Sequence, residues 1–239
     1  MAEVARFVLS CEHGGNEIPA AYSELFASSA AESALGSHRG WDPGSLEITE
    51  RLAALLEAPM VVQRMSRLLV ECNRSQGHPQ IWSEFSRGLG RVDKARLLND
   101  VWQGYRDAVR REIGTIERGV RVVHVSVHTF TPVWRGRRRA TDVGLLYDPA
   151  RESERRLAVM WRRSLREQPS ARGLVVHRNR PYRGWTDGLV TALRRELSDA
   201  GYLGFELEVS QRCVPAGDDL VYSIGAALLQ AVGKAHLEG

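Results

Sequence analysis

The stretch Arg121-Val-Val-His-Val-Ser-Val-His-Thr-Phe-Thr-Pro132 decides how the rest of the chain is read. It is apolar and β-branched from Val122 to Val127, with His124 and Ser126 interspersed, which predicts a buried strand. It delivers His128 at its end, and Thr129, Thr131 and Pro132 form a turn. The C-terminal ends of strands are where an open α/β sheet places ligands and chemistry. The segment Arg6-Phe-Val-Leu-Ser-Cys-Glu-His-Gly-Gly15 has the same shape, a strand over residues 6–12 that delivers His13 into a Gly-Gly turn. Two strand-end histidines far apart in sequence suggest one site at one edge of a sheet.

Working outward, strands alternate with helices along the whole chain. Asp42-Pro43 opens a helix to about Glu57, with Leu46, Ile48, Leu52, Leu55 and Leu56 at near-helical spacing. Short strands are predicted at Met60-Val-Val-Gln and Arg67-Leu-Leu-Val-Glu-Cys72, the second pointing Asn73 and Arg74 at the sheet edge. Residues 76–89 form a polar loop, Lys94 to Arg118 one long amphipathic helix, and Arg135 to Thr141 a charged loop. Further strands are predicted at Val143-Gly-Leu-Leu-Tyr, Leu174-Val-Val-His and Leu203-Gly-Phe-Glu-Leu-Glu-Val. The intervening helices run over residues 152–166, 186–200 and 219–233. The expected fold is one α/β domain over residues 1–239, with a mostly parallel (mixed) sheet and helices on both faces.

The composition excludes several classes. No apolar run approaches the ~20 residues of a membrane span. Glu3 and Arg6 interrupt any secretory pattern at the N-terminus, and three cysteines without paired spacing point to free thiols in a reducing cytoplasm. The net charge of +4 comes from local arginine clusters at residues 135–139 and 151–166. Acidic residues are mixed in throughout, so nucleic acid is not the expected partner. There is no Walker A or Gly-x-Gly-x-x-Gly motif, no His-Glu-x-x-His, and no Gly-x-Ser-x-Gly elbow around Ser126.

The pair of strand-end histidines suggests metal chemistry, with hydrogen-bonded packing residues as the plainer alternative. A zinc hydrolase needs about three ligands from His, Asp or Glu and a carboxylate base near the metal. His13 and His128 supply two ligands. Asp42 fits as the third, with Glu17 its competitor and Glu12 a weaker one; Asp42 as a plain helix N-cap is the structural alternative. Glu206 and Glu208 alternate with Phe205, Leu207 and Val209, so both carboxylates share one face of a late strand. A metal or an arginine would explain burying them; either is the candidate base. His38, His78, His124, His177 and His236 are assigned to structural or surface roles, with His124 the best placed to orient a ligand residue. Arg74 or Arg139 could grip a substrate carboxylate as a bidentate fork.

Seven pieces occur in order over nearly the whole chain. They are residues 10–19 (Ser-Cys-Glu-His-Gly-Gly-Asn-Glu-Ile-Pro), 41–44 (Trp-Asp-Pro-Gly), 66–74 (Ser-Arg-Leu-Leu-Val-Glu-Cys-Asn-Arg), 127–132 (Val-His-Thr-Phe-Thr-Pro), 142–148 (Asp-Val-Gly-Leu-Leu-Tyr-Asp), 179–184 (Asn-Arg-Pro-Tyr-Arg-Gly) and 205–211 (Phe-Glu-Leu-Glu-Val-Ser-Gln). Together they resemble the N-formylglutamate amidohydrolase family, with Ser210 and Glu71 where that family more often has Asn and Asp. The resemblance implies a phosphorylase/hydrolase-like, zinc carboxypeptidase-like fold and metal-dependent hydrolysis of an N-acyl amino acid, a small-molecule substrate of the N-formyl-L-glutamate type. It implies His13, Asp42 and His128 as Zn2+ ligands (or those of another divalent transition metal) and favours Asp42 over Glu17. It implies Glu208 rather than Glu206 as the base, with Asn73, Arg74 and Arg139 around the substrate. A different acyl-amine or peptide substrate, or a non-catalytic anion-binding member, are the alternatives.

Overall fold

The structure, a computed structural model, describes residues 5–117 and 119–237. Its first half holds β1 (Arg6–Cys11), α1 (Ser29–Leu35), α2 (Ser45–Leu56), β2 (Met60–Val62), α3 (Arg91–Leu97) and α4 (Gly104–Gly114). The second half holds β3 (Val122–Phe130), β4 (Val133–Trp134), β5 (Arg137–Arg138), β6 (Val143–Leu146), α5 (Glu152–Glu167), β7 (Val176–Arg178), α6 (Leu189–Glu196), β8 (Tyr202–Ser210) and α7 (Gly217–Leu237).

Six strands form one sheet in the order β2-β1-β3-β8-β6-β7. β2, β1, β3 and β8 run parallel; β6 is antiparallel to β8, and β7 parallel to β6. This is the mixed, mostly parallel sheet that the element pattern predicts, and its two faces are both covered. Leu9, Val123, Val125, Val127, Phe205, Leu207 and Val209 face α2, α5 and α7, with Trp161 and Ile224 in the same core. On the other face Tyr22, Phe26, Val101, Tyr105, Val109, Leu189 and Leu193 form a second core around α4 and α6.

The period of two along β3 and β8 separates an apolar from a polar side. Val123, Val125 and Val127 fill the first core, which leaves His124, Ser126 and His128 on the opposite face. The register sets Ser126 beside Glu206 and His128 beside Glu208. A one-residue slip would drive this polar row into the apolar core, so burial of the odd-numbered valines fixes where the chemistry lies.

Three expectations are corrected. Residues 67–72 are not a strand: Leu68, Leu69 and Val70 are buried, but their segment closes local turns (Leu69 N–H to Ser66 O at 2.9 Å, Arg74 N–H to Glu71 O at 3.3 Å). An apolar run too short to be periodic signals burial without signalling a ladder. The long helix is interrupted by a π-helical segment, Leu98–Gln103, between α3 and α4; Arg118, its expected end, lies outside the described residues. The charged loop folds as the small hairpin β4–β5, turned by Arg135 and Gly136 at φ 49° and 73°. Residues 238–239 also lie outside the described residues.

Candidate active site

Each arm of the site is held by backbone bonds to its neighbours. His13 follows β1 by two residues, and its carbonyl accepts from the N–H of Asp42 at 3.0 Å. A Cβ on Gly15 would run into the backbone of Arg64, so the Gly-Gly turn lets this loop lie against the chain beside β2. Asp42 is not the N-cap of α2. Gly44 holds that position at φ 86°, where Val214 packs against it, and no side chain caps the helix. The Asp42 carboxylate turns into the sheet edge instead. On the third arm Thr129 Oγ1 donates to Pro43 O at 2.8 Å and ties the end of β3 to the Asp42 loop.

Three ligand atoms converge. His13 Nδ1 lies 3.3 Å from Asp42 Oδ2 and 3.2 Å from His128 Nδ1, and His128 Nδ1 lies 3.0 Å from Asp42 Oδ2. Tetrahedral ligands with bonds of ~2.0–2.1 Å to zinc stand roughly 3.3 Å apart, close to these edges. The far nitrogen of each ring meets a carboxylate: His13 Nε2 donates to Glu71 Oε1 at 2.6 Å, and His128 Nε2 lies 3.1 Å from Glu12 Oε2 and 2.9 Å from Ser126 Oγ. Such partners fix the tautomer that turns both Nδ1 lone pairs inward, a common arrangement behind metal-binding histidines.

The charge points the same way. Burial alone would raise the acids, but His13 and His128 hold Asp42 far below its usual range, Arg67 and His13 do so for Glu71, and His128 for Glu12. Of these three buried carboxylates, two share one guanidinium, that of Arg67, which donates to Glu71 Oε2 from Nε at 2.7 Å and to Asp42 Oδ1 from Nη1 at 3.2 Å. With both imidazoles neutral, as metal ligation requires, the three carboxylates exceed that guanidinium by two negative charges, which suits a divalent cation. His128 reports the same demand: burial opposes its charge, yet hydrogen bonds to Asp42 and Glu12 raise its pKa well above the usual value. The donor set and its charge therefore fit a zinc-like ion. Glu17, the competing ligand, is exposed and stands outside this cluster.

Glu208 completes the centre. It is 5 % exposed, its Oε2 has no partner among the described residues, and burial with Asp42 and Glu206 nearby pushes its pKa up to about 8. It shares a cavity of about 190 Å³ with the three converging residues and with Asn73, Arg74 and Glu206. Glu206 is half-buried, and burial also raises its pKa. Asn73 accepts from the N–H of Leu189 at 2.8 Å, and Arg74 Nη1 donates to the carbonyls of Asn73 (3.1 Å) and Asp187 (2.7 Å). Trp102 Nε1 and Arg106 Nη2 bind Arg74 O at 2.8 and 3.0 Å, so the π-helical interruption serves to clamp this segment.

Arg139 stands apart. It does not line this cavity but stacks over Phe130, Trp134 and Tyr182 at 5.2–5.4 Å and donates to Tyr182 Oη at 3.1 Å. It thus packs under the rings that border the site, with one guanidinium nitrogen, Nη1, on Tyr182 Oη. His124 is fully buried and bonds Tyr202 Oη at 2.7 Å and Ser10 Oγ at 2.9 Å. Ser10 Oγ donates to Glu12 Oε1 at 2.7 Å, so His124 reaches His128 through two intermediaries. Residue-by-residue reading of the sequence missed Arg67, Tyr182 and the carboxylates of Glu12 and Glu71 as partners of the histidines. Their only signal is membership of the ordered motif segments.

Comparison with known proteins bears on the family and the fold. The profile of the family described as N-formylglutamate amidohydrolase matches residues 5–214. A solved gene product of Agrobacterium tumefaciens is 29 % identical, covering 97 % of this chain and 90 % of its own, with a TM-score of 0.78. The N-formylglutamate amidohydrolase of Ralstonia eutropha shares the fold at 17 % identity and a TM-score of 0.68, covering 98 % of this chain and 94 % of its own. No curated protein matches the sequence. With the profile spanning most of its length, the chain belongs to the N-formylglutamate amidohydrolase family.

Proposed function

We propose that this protein is a zinc-dependent hydrolase of the amide bond of an N-acyl amino acid of the N-formyl-L-glutamate type. The carrying observation is the triangle of His13 Nδ1, Asp42 Oδ2 and His128 Nδ1, with the unpartnered Glu208 carboxyl in the same cavity. His13, Asp42 and His128 would hold a divalent ion, which would supply Lewis acidity and positive charge beside the amide carbonyl, a water and Glu208.

The chain's own residues do the rest. Glu208 takes a proton from the attacking water and returns it to the leaving nitrogen; a carboxylate raised toward neutrality suits both transfers. Glu71 and Glu12 hold the two imidazoles in orientation. Tyr182 keeps its proton, because burial and Glu208 raise its pKa. Its oxygen accepts from Arg139, which leaves its own O–H free to donate to the carbonyl oxygen as charge develops there. Asn73 and Arg74 bind the substrate carboxylate. The buried, unpaired thiols of Cys11, Cys72 and Cys213 support a reducing cytoplasm as the compartment, with residues 1–239 acting as one catalytic unit.

The test is release of glutamate from N-formyl-L-glutamate by zinc-loaded protein. Glu208→Gln should keep the metal and lose turnover; full activity in that variant would remove Glu208 as the base.

A further inference from the structure

The catalytic cavity does not end at the metal-ligand triangle. It meets a second cavity of about 290 Å³ across Asp42, Arg67, Thr129 and Tyr182, which line both. The two differ in chemistry. On the Glu208 side, Arg74 binds only backbone carbonyls and has no carboxylate partner among the described residues. On the far side the cations are already matched: Arg39 pairs with Glu84, and Arg67 with Asp42 and Glu71. The remaining walls are His38, Leu68, Phe130, Thr131, Trp134 and Tyr182. Trp134 stands 45 % exposed, edge-on to His38 at 5.8 Å, with Arg139 beneath it. A half-exposed indole beside two other rings is a surface suited to an apolar or aromatic group.

We infer that the second cavity is an acyl pocket, and that the substrate is an amino acid bearing a large apolar, aromatic acyl group rather than formyl alone. This rests on the amide-hydrolase reading above. The amino-acid carboxylate meets Arg74, the scissile amide lies at the triangle, and the acyl group extends across Tyr182 toward Trp134. A formyl group has only a hydrogen beyond its carbonyl and would leave this pocket unfilled. In the reaction, water adds to the acyl carbon, the C–N bond breaks, the acyl group leaves as a carboxylate, and the proton passes to the amine.

The test compares kcat/KM of the zinc-loaded enzyme for N-formyl-, N-acetyl-, N-hexanoyl- and N-phenylacetyl-L-glutamate. Formamides are the least hindered of these, so a site without an acyl pocket favours formyl. The pocket predicts the opposite order, with phenylacetyl ahead of formyl by at least ~10-fold, the selectivity that apolar contacts supply. Trp134→Ala should cost the phenylacetyl substrate at least ~10-fold more than the formyl one. Formyl equal to or ahead of every larger acyl group would overturn the inference while leaving the amidohydrolase reading intact. If no N-acyl glutamate is hydrolysed, that reading fails, and calorimetric titration of the metal-free protein with phenylacetate decides the pocket separately. Binding that Trp134→Ala weakens sustains it, and no binding overturns it.

Discussion

Glu71→Gln removes one charge without changing shape, and the structure says what that does. Glu71 Oε1 accepts from His13 Nε2 at 2.6 Å and from the N–H of Asn73 at 2.9 Å; Oε2 accepts from Arg67 Nε at 2.7 Å and Nη2 at 2.6 Å. An amide cannot serve both sides. With its oxygen toward His13, its NH2 confronts the Arg67 guanidinium. Turned over, it donates to His13 Nε2, forces the other tautomer, and puts the ring proton on the Nδ1 that faces Asp42 and His128. Either way the centre is disfavoured. Losing a carboxylate behind a metal-binding histidine costs ~10–100-fold in metal affinity, roughly 1.4–2.7 kcal/mol. Zinc affinity is measured by competition with a chromogenic chelator, and thermal unfolding of the metal-free proteins establishes that both are folded. Glu12→Gln should lose less, because His128 Nε2 keeps Ser126 Oγ at 2.9 Å. A folded Glu71→Gln protein that binds zinc like wild type would refute the reasoning.

Other outcomes follow from the same geometry. His124 is buried, and burial lowers its pKa from 6.5 to about 4. The unfolded chain therefore binds the extra proton first: this contribution is fully present above pH 6.5 and lost as the pH falls to about 4. Its size is roughly 3 kcal/mol, so stability of the metal-free protein, from urea unfolding at several pH values, should fall by that much more in wild type than in His124→Gln. Equal slopes would exclude a neutral buried His124. Zinc at ~100 times its Kd adds about 2.7 kcal/mol and should raise Tm by roughly 5–10 °C in a chain of this size; scanning calorimetry that shows no shift counts against a preformed centre. Arg74→Ala should raise KM for an N-acyl glutamate by ~10–100-fold with a smaller change in kcat, the loss expected for a charged hydrogen-bonding partner. An unchanged KM would place the substrate carboxylate elsewhere.

The parts of this fold that were legible in the sequence are those where period and burial agree. Val123, Val125 and Val127 alternate with His124, Ser126 and His128, and Phe205, Leu207 and Val209 with Glu206 and Glu208, so the polar face of two neighbouring strands could be read without coordinates. Local pattern carries less elsewhere. Leu68-Leu69-Val70 is as apolar as a strand, but its burial comes from tertiary packing over turns. The helical periodicity of residues 94–118 does not reveal the π segment that brings Trp102 to Arg74. Asp42 has the sequence position of a helix cap, and only the left-handed Gly44 after it frees its carboxylate. The carboxylates behind His13 and His128 are invisible to spacing, because Glu71 meets His13 from a remote segment and Glu12 meets His128 across two strands. Arg139 shows the converse. Its charge suggested an anion, and its stacking against three rings is a contact between segments that sequence spacing does not encode.

The central claim is that His13, Asp42 and His128 form a metal centre, and metal content tests it most directly. Purified protein is dialysed against zinc, freed of excess and analysed by mass spectrometry of the element, wild type beside His13→Ala and His128→Ala. The account predicts about one zinc per chain in wild type and its loss in both variants. Wild-type protein without metal after zinc is added back, or folded variants that retain it in full, would contradict the account.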